Sequence, residues 1–174
     1  MIGLSIWQTM WKINPAFKVN QNEASRPDIG VILNDYQLPY PGILPGQILY
    51  PIKMVRDRAR LLLTFSQEKR LAYYLLLADK RLATAVMLAG RNDWLSANSL
   101  IYKSGGYLQL AIKLFKQMSL SQQKADIWGK TLKQTTEKHL RVLFLLRDWS
   151  PNKEVFDQQI RYYQELSKLL TSGI

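Results

Sequence analysis

At 174 residues, with 47% hydrophobic and 21% charged residues, the chain has the size and composition of one globular domain rather than a disordered segment. It has no cysteine and a single histidine, which removes disulfides and thiolate chemistry and argues against a histidine-based metal site. Its net charge of +11 is concentrated between Leu49 and Arg147, where 18 Lys+Arg face 6 Asp+Glu; the remaining residues hold 6 against 7. A body charged in this way draws polyanions: nucleic acid, anionic lipid or an acidic envelope polymer.

In chain order, Met1–Ile13 is moderately apolar but lacks a basic leading region and a small-residue cleavage site, so it does not read as a signal peptide. Trp7 and Trp11 are four apart and share a helical face that suits a lipid interface. The alternatives are a short arm packed on the body or the stump of a longer leader. Asn14–Asn34 is polar and mixed and reads as a linker or loop, so residues 1–35 form an arm and residues 36–172 one helical domain. Gly30-Val31-Ile32-Leu33 could extend, but one short run makes no sheet.

From Leu38 the chain reads L-P-Y-P-G-I-L-P-G-Q-I-L-Y-P. Pro39, Pro41 and Pro45 fix their own φ and push the preceding residues toward extended geometry. Leu38, Tyr40, Ile43, Leu44, Ile48, Leu49 and Tyr50 are too apolar for a free linker, which predicts an arm lying along the helices.

Pro51 then opens a first predicted helix to Thr64, with Ile52, Val55, Ala59, Leu62 and Leu63 as its apolar stripe. Ser66 is placed to cap a second helix, Gln67–Ala89, with Gly90 as its C′ residue. That helix keeps an i, i+3, i+4, i+7 rhythm through Leu71, Tyr74, Leu75, Ala78, Leu82, Ala85, Val86 and Ala89. Tyr73, Leu76 and Leu77 widen the apolar face, which predicts neighbours on more than one side.

Asn92 or Asp93 caps a third helix carrying Trp94, Ala97, Ile101, Leu108, Ala111, Ile112 and Phe115. Gly105-Gly106 interrupts it at a cost of about 2 kcal/mol relative to alanine. The apolar phase survives the gap, so a continuous helix with a close neighbour is favoured over a kink. A fourth helix, from about Ser121 to Arg147, turns Ala125, Trp128, Leu132, Thr135, His139, Val142, Leu143 and Leu146 inward, with Gly129 as a weak point. Ser150 and Pro151 are placed as the cap and first residue of a fifth helix using Val155, Phe156, Ile160, Tyr163, Leu166 and Leu170. The expected fold is all-α: an antiparallel bundle of about five helices with an extended proline-rich N-terminal arm. The matched helix lengths hint at tandem hairpins, without sequence self-similarity to support them.

Chemistry is sparse. There is no H-E-x-x-H, phosphate-binding glycine loop or G-x-S-x-G elbow. His139 reads as a core or boundary residue with one hydrogen-bond partner, with Glu137 and Lys138 pointing elsewhere. Asp57 sits among Arg56, Arg58 and Arg60, and Asp79 precedes Lys80 and Arg81. These read as ion pairs, with Asp57, Asp79 and Arg81 setting the register of the first two helices, rather than as a general acid/base pair. Lys53, Arg56, Arg60, Lys69 and Arg70 form the candidate polyanion-facing surface; no groove-reading module accompanies them, so nucleic-acid binding would be non-specific.

The pattern L-P-Y-P-G-I-L-P, L-Y-P-I-K-M-V-R-D, L-T-F-S-Q-E-K-R, L-L-L-A-D-K-R-L resembles the bacterial domain-of-unknown-function family 5667 over about residues 36–115. K-H-L-R-V-L resembles the segment directly after that domain in some members. The resemblance implies an all-helical module facing the envelope, extracytoplasmic or membrane-associated, with no catalytic residues to carry over; a genuine start at Met1 would make it cytoplasmic. The expectation is a non-enzymatic structural or adaptor module without cofactor. It would act through its basic surface on a protein or anionic envelope partner. The alternative is a non-specific nucleic-acid binder.

Overall fold

The computed structural model describes residues 29–36, 38–39, 66–172 and the isolated positions 48, 49, 52, 55, 56 and 59. A short helix, α1 (Ile29–Asp35), precedes four long ones: α2 (Gln67–Gly90), α3 (Trp94–Gln117), α4 (Gln122–Trp149) and α5 (Lys153–Thr171). The described residues contain no strand, and the fold is an all-α helical bundle. Helices α2 to α5 are the second to fifth predicted helices, each within a few residues of its expected bounds.

The stripes read from the sequence face inward. Leu71, Leu75, Ala78, Leu82, Ala85, Val86 and Ala89 of α2 are buried with Ala97, Ile101, Leu108, Ala111 and Ile112 of α3. Leu132, Val142, Leu143 and Leu146 of α4 join them, as do Phe156, Ile160, Tyr163, Leu166 and Leu170 of α5. Each fully buried leucine or phenylalanine contributes about 1.5–3 kcal/mol by leaving water. Every residue of α2 from Arg81 to Gly90 is buried, so this half of the helix is enclosed on several sides; of the residues expected to widen its apolar face, Leu77 is buried and Tyr73 and Leu76 are half-buried.

Contacts along the helices give their directions. Trp94 at the start of α3 meets Phe156 at the start of α5, edge to face at 6.0 Å. Further along, Tyr102 stacks on Tyr162 at 6.3 Å, so α3 and α5 run parallel. Lys124 pairs with Glu68 at 2.6 Å and Lys138 with Asp79 at 2.8 Å, so α4 and α2 are also parallel. The structure is therefore two antiparallel hairpins, α2–α3 and α4–α5, laid side by side in the same orientation.

The turns reflect local chemistry. Asp93 caps α3 by accepting from the Ser96 N–H at 3.1 Å. Helix α2 continues through Gly90, and it is Asn92, at φ 63°, that takes the left-handed position expected of the glycine. Asn is the non-glycine residue that tolerates this region best. At the second turn, Asn152 caps α5 by accepting from the Val155 N–H at 3.4 Å, while Ser150 closes α4 and binds Asn152 through its hydroxyl. The expected cap at Ser150 thus moves to Asn152, and Pro151 lies in the turn before α5 rather than at its first position. Arg147 of α4 adds a two-pronged pair to Asp157 of α5 across this turn.

Helix α3 is continuous through Gly105-Gly106, as its phase required. A Cβ on Gly105 would stand 2.7 Å from Tyr162 Cε1 and 3.0 Å from Tyr163 Cε2, whereas one on Gly106 would meet nothing within 4 Å. Only the first glycine is there to admit a neighbour. Helix α4 is likewise unbroken at Gly129.

The N-terminal expectations need correction. Ile29–Asp35 is helical, not loop or extended, because Ile32 packs into the core cluster with Leu33 and Tyr36 against it. Leu38, the first arm residue, is buried as expected, but Ile48 and Leu49 are exposed at 94% and 56%. The described positions 52, 55, 56 and 59 are helical, yet the stripe residues Ile52, Val55 and Ala59 are exposed rather than packed. The remainder of the arm and of the first predicted helix lies outside the described residues.

Candidate functional site

The bundle's polar centre draws side chains from all four long helices, two of them from α4. His139 of α4 is fully buried, and its Nε2 lies 2.7 Å from Asp79 Oδ1 of α2. Its Nδ1 stands 3.4 Å from Ser104 Oγ of α3. The Ser104 hydroxyl donates to the Ala78 carbonyl at 2.8 Å. Tyr163 of α5 packs its ring against His139 at 5.8 Å and donates its hydroxyl to the Ile101 carbonyl at 3.2 Å. Lys138 reaches over the top, Nζ 2.8 Å from Asp79 Oδ2.

A carboxylate only accepts, so His139 carries its proton on Nε2 and donates to Asp79. Burial pushes the His139 imidazole below its ordinary value; the Asp79 hydrogen bond and charge oppose this without reversing it. Burial alone would raise the Asp79 carboxyl, but the His139 hydrogen bond and the Lys138 ammonium hold it below the usual carboxylate range. At neutral pH the node is an ion pair, Asp79 with Lys138, braced by a neutral imidazole. Burial also raises the Tyr163 phenol far above its ordinary value.

Serine, histidine and aspartate are the members of a hydrolytic triad, but their arrangement here differs from one. A nucleophilic serine must be reachable and must offer its proton to the imidazole. Ser104 is fully enclosed, its proton is directed at Ala78, and its distance to the ring is long. The node joins helices at a single level: α4 to α2 through His139, Lys138 and Asp79, and α3 to α2 through Ser104 and the Ala78 carbonyl. No group of three or more potential metal-ligating side chains occurs among the described residues.

Of the sequence-predicted residues, Asp79 is in an ion pair, but Lys138 and His139 reach it from α4 rather than from the first predicted helix, and Lys138 does not point elsewhere. Arg81 is buried at 2% exposure within α2. His139 is a core histidine with Asp79 as its hydrogen-bond partner, as expected; Ser104 Oγ stands 3.4 Å from its other ring nitrogen. Arg56 and Lys69 are exposed and Arg70 is half-buried. Lys53, Asp57 and Arg60 lie outside the described residues. Sequence reasoning missed Ser104 and Tyr163 as polar partners. The available signal was Asp79 itself, a carboxylate with Leu75, Ala78, Leu82 and Ala83 around it on its helix and hence in need of a buried partner.

A family model, Domain of unknown function (DUF5667), matches residues 42–152. The chain belongs to this family. The matched stretch begins a few residues later than the motifs suggested and runs much further. It takes the K-H-L-R-V-L run, and with it Lys138 and His139, inside the DUF5667 region. Four members of the polar node, Asp79, Ser104, Lys138 and His139, therefore lie within the family's span, and Tyr163 lies beyond it. No curated protein and no solved structure matches the chain. No described helix is long and apolar enough to cross a membrane.

Proposed function

We propose that this DUF5667 chain is a non-enzymatic helical adaptor, working beside the cell envelope by presenting cations to an anionic partner. The observation that supports this reading is the outer stripe of α4. Ile127, Lys130, Gln134, Arg141 and Phe144 recur at helical spacing and are exposed, as is Lys133 beside them; the one carboxylate on the line, Glu137, is half-buried, so the cations Lys130, Lys133 and Arg141 outnumber it. At 1.5 Å per residue the stripe is about 25 Å long. Ile127 is 58% exposed and Phe144 47%, so apolar groups bracket the cations. That combination suits an anionic lipid interface, where apolar side chains enter the headgroup boundary and cations stay with the phosphates.

The test is flotation with anionic and neutral vesicles. Binding to anionic vesicles that Lys130→Glu with Arg141→Glu abolishes is expected; equal recovery with neutral vesicles overturns the reading. The second reading, non-specific nucleic-acid binding, draws on the same cations. A salt titration against a labelled duplex separates them, because duplex binding would survive Phe144→Ser while vesicle binding would not.

A further inference from the structure

Four of the six large hydrophobics exposed among the described residues 66–172 lie on one face, the seam between the parallel helices α3 and α5. They are Leu95 at 86%, Tyr102 at 68%, Leu110 at 44% and Leu169 at 48%. Leu95, Tyr102, Gln109, Lys113 and Lys116 succeed one another along α3 at spacings of seven, seven, four and three, a single line on the helix surface. Tyr162, stacked on Tyr102, belongs to the same surface from the α5 side. Towards its far end the seam deepens into a groove lined by Gln109, Leu110, Ile112, Lys113, Lys116, Leu166 and Leu169.

Charge selects among occupants. From Trp94 to Gln117, α3 contains no aspartate or glutamate, and the groove's ionisable lining is Lys113 and Lys116 alone. On the α5 side Glu165 lies near Tyr162, up the seam from the lysines. A flat bilayer does not fill a concave seam between two helices, and a duplex has no apolar group to set on the leucines. A second copy of the chain would bring another +11 of charge to a cationic face.

We propose that the α3–α5 seam seats an amphipathic helix of a partner protein, its apolar side on Tyr102, Leu110 and Leu169 and its carboxylates on Lys113 and Lys116. This is helix-in-groove recognition with the charges setting direction. It rests on the adaptor reading and deepens it by naming a second face and the partner class that face takes.

The probe is a fluorescein-labelled amphipathic peptide of about 18 residues, or roughly 27 Å as a helix, with leucine at i, i+3, i+4 and i+7 and glutamate elsewhere. A counterpart carries lysine for every glutamate. Anisotropy with the full chain should show binding of the acidic peptide only. Lys113→Glu with Lys116→Glu, and separately Leu169→Ser, should each weaken it by about tenfold or more while leaving the circular-dichroism melt unchanged, since all three side chains are exposed. No binding, equal binding of both peptides, or loss through Lys130→Glu and Arg141→Glu instead would overturn the proposal. So would sedimentation showing a dimer that Leu169→Ser dissolves, because a second copy would then occupy the seam. Vesicle flotation of the unsubstituted chain keeps the two readings apart: intact flotation with no peptide binding removes the seam proposal alone.

Discussion

Two adjacent glycines in α3 should respond to the same substitution with different outcomes. Alanine at either position gains about 1 kcal/mol of helix propensity over glycine. At Gly106 nothing lies within 4 Å of the added methyl, so the gain stands. At Gly105 the methyl would arrive 2.7 Å from Tyr162 Cε1 and 3.0 Å from Tyr163 Cε2. Neither ring can move freely. Tyr163 is fully buried with its hydroxyl bound to the Ile101 carbonyl, and Tyr162 is stacked on Tyr102 and edge-on to Tyr163. Overpacking of this kind costs about 1–3 kcal/mol. Gly106→Ala should therefore stabilise by about 1 kcal/mol, and Gly105→Ala should be neutral to destabilising by about 2 kcal/mol. Urea unfolding monitored by circular dichroism reads the difference directly, because propensity cancels between neighbours. Placing Gly105→Ala in a Tyr162→Ala background should recover part of the loss. If both single variants stabilise equally, the close approach of α5 to α3 is wrong.

Acidification should weaken the fold in a defined window. His139 is held below its ordinary value by burial, so once pH falls below about 6.5 the unfolded chain binds more protons than the folded one and stability drops. Asp79, also held low, adds a second loss as pH falls through the carboxylate range. Urea midpoints from pH 7.5 to 5 should decline, and His139→Gln should flatten that decline; a midpoint that rises on acidification contradicts the burial argument. Asp79→Ala leaves Lys138 and His139 without their acceptor and should cost about 3–5 kcal/mol, seen as a large fall in melting temperature. Helix caps give a further contrast. Asn152→Ala removes a side-chain bond to the Val155 N–H and should cost about 1 kcal/mol in thermal denaturation. Ser121→Ala removes no such bond and should cost clearly less.

Helices α3, α4 and α5 were legible because their burial is one-sided, and a 3.6-residue rhythm reports burial directly; α2, enclosed all round from Arg81 to Gly90, still keeps Leu71, Leu75, Leu82 and Val86 on that rhythm. The continuity of α3 could be read for the same reason: phase on either side of Gly105 is a property of the chain, not of its neighbours. The direction of packing could not. Whether α4 lies beside α2 or beside α3 depends on which of several similar leucine faces meet, and leucines carry no address. The address is written in polar residues, and it takes both halves to read it. Asp79 looked like a partner for nearby arginines because those were close in sequence, whereas His139 and Lys138, some sixty positions away, were the ones the fold brought to it. Ile29–Asp35 was misread because seven residues are too few to establish a period, and the burial of Ile32 is a tertiary fact.

Laying one hairpin beside another in the same orientation repeats a unit by translation, as solenoids do, and translation has no natural end. The first unit is partly covered, since α1 docks Ile32 against the same core as α2. The second unit has no such lid among the described residues, and α4 shows Ile127 and Phe144 to solvent. An array grown by that operation would add its next hairpin there. Among the described residues the α4–α5 hairpin is the outer layer, and its exposed Ile127 and Phe144 are open to another molecule.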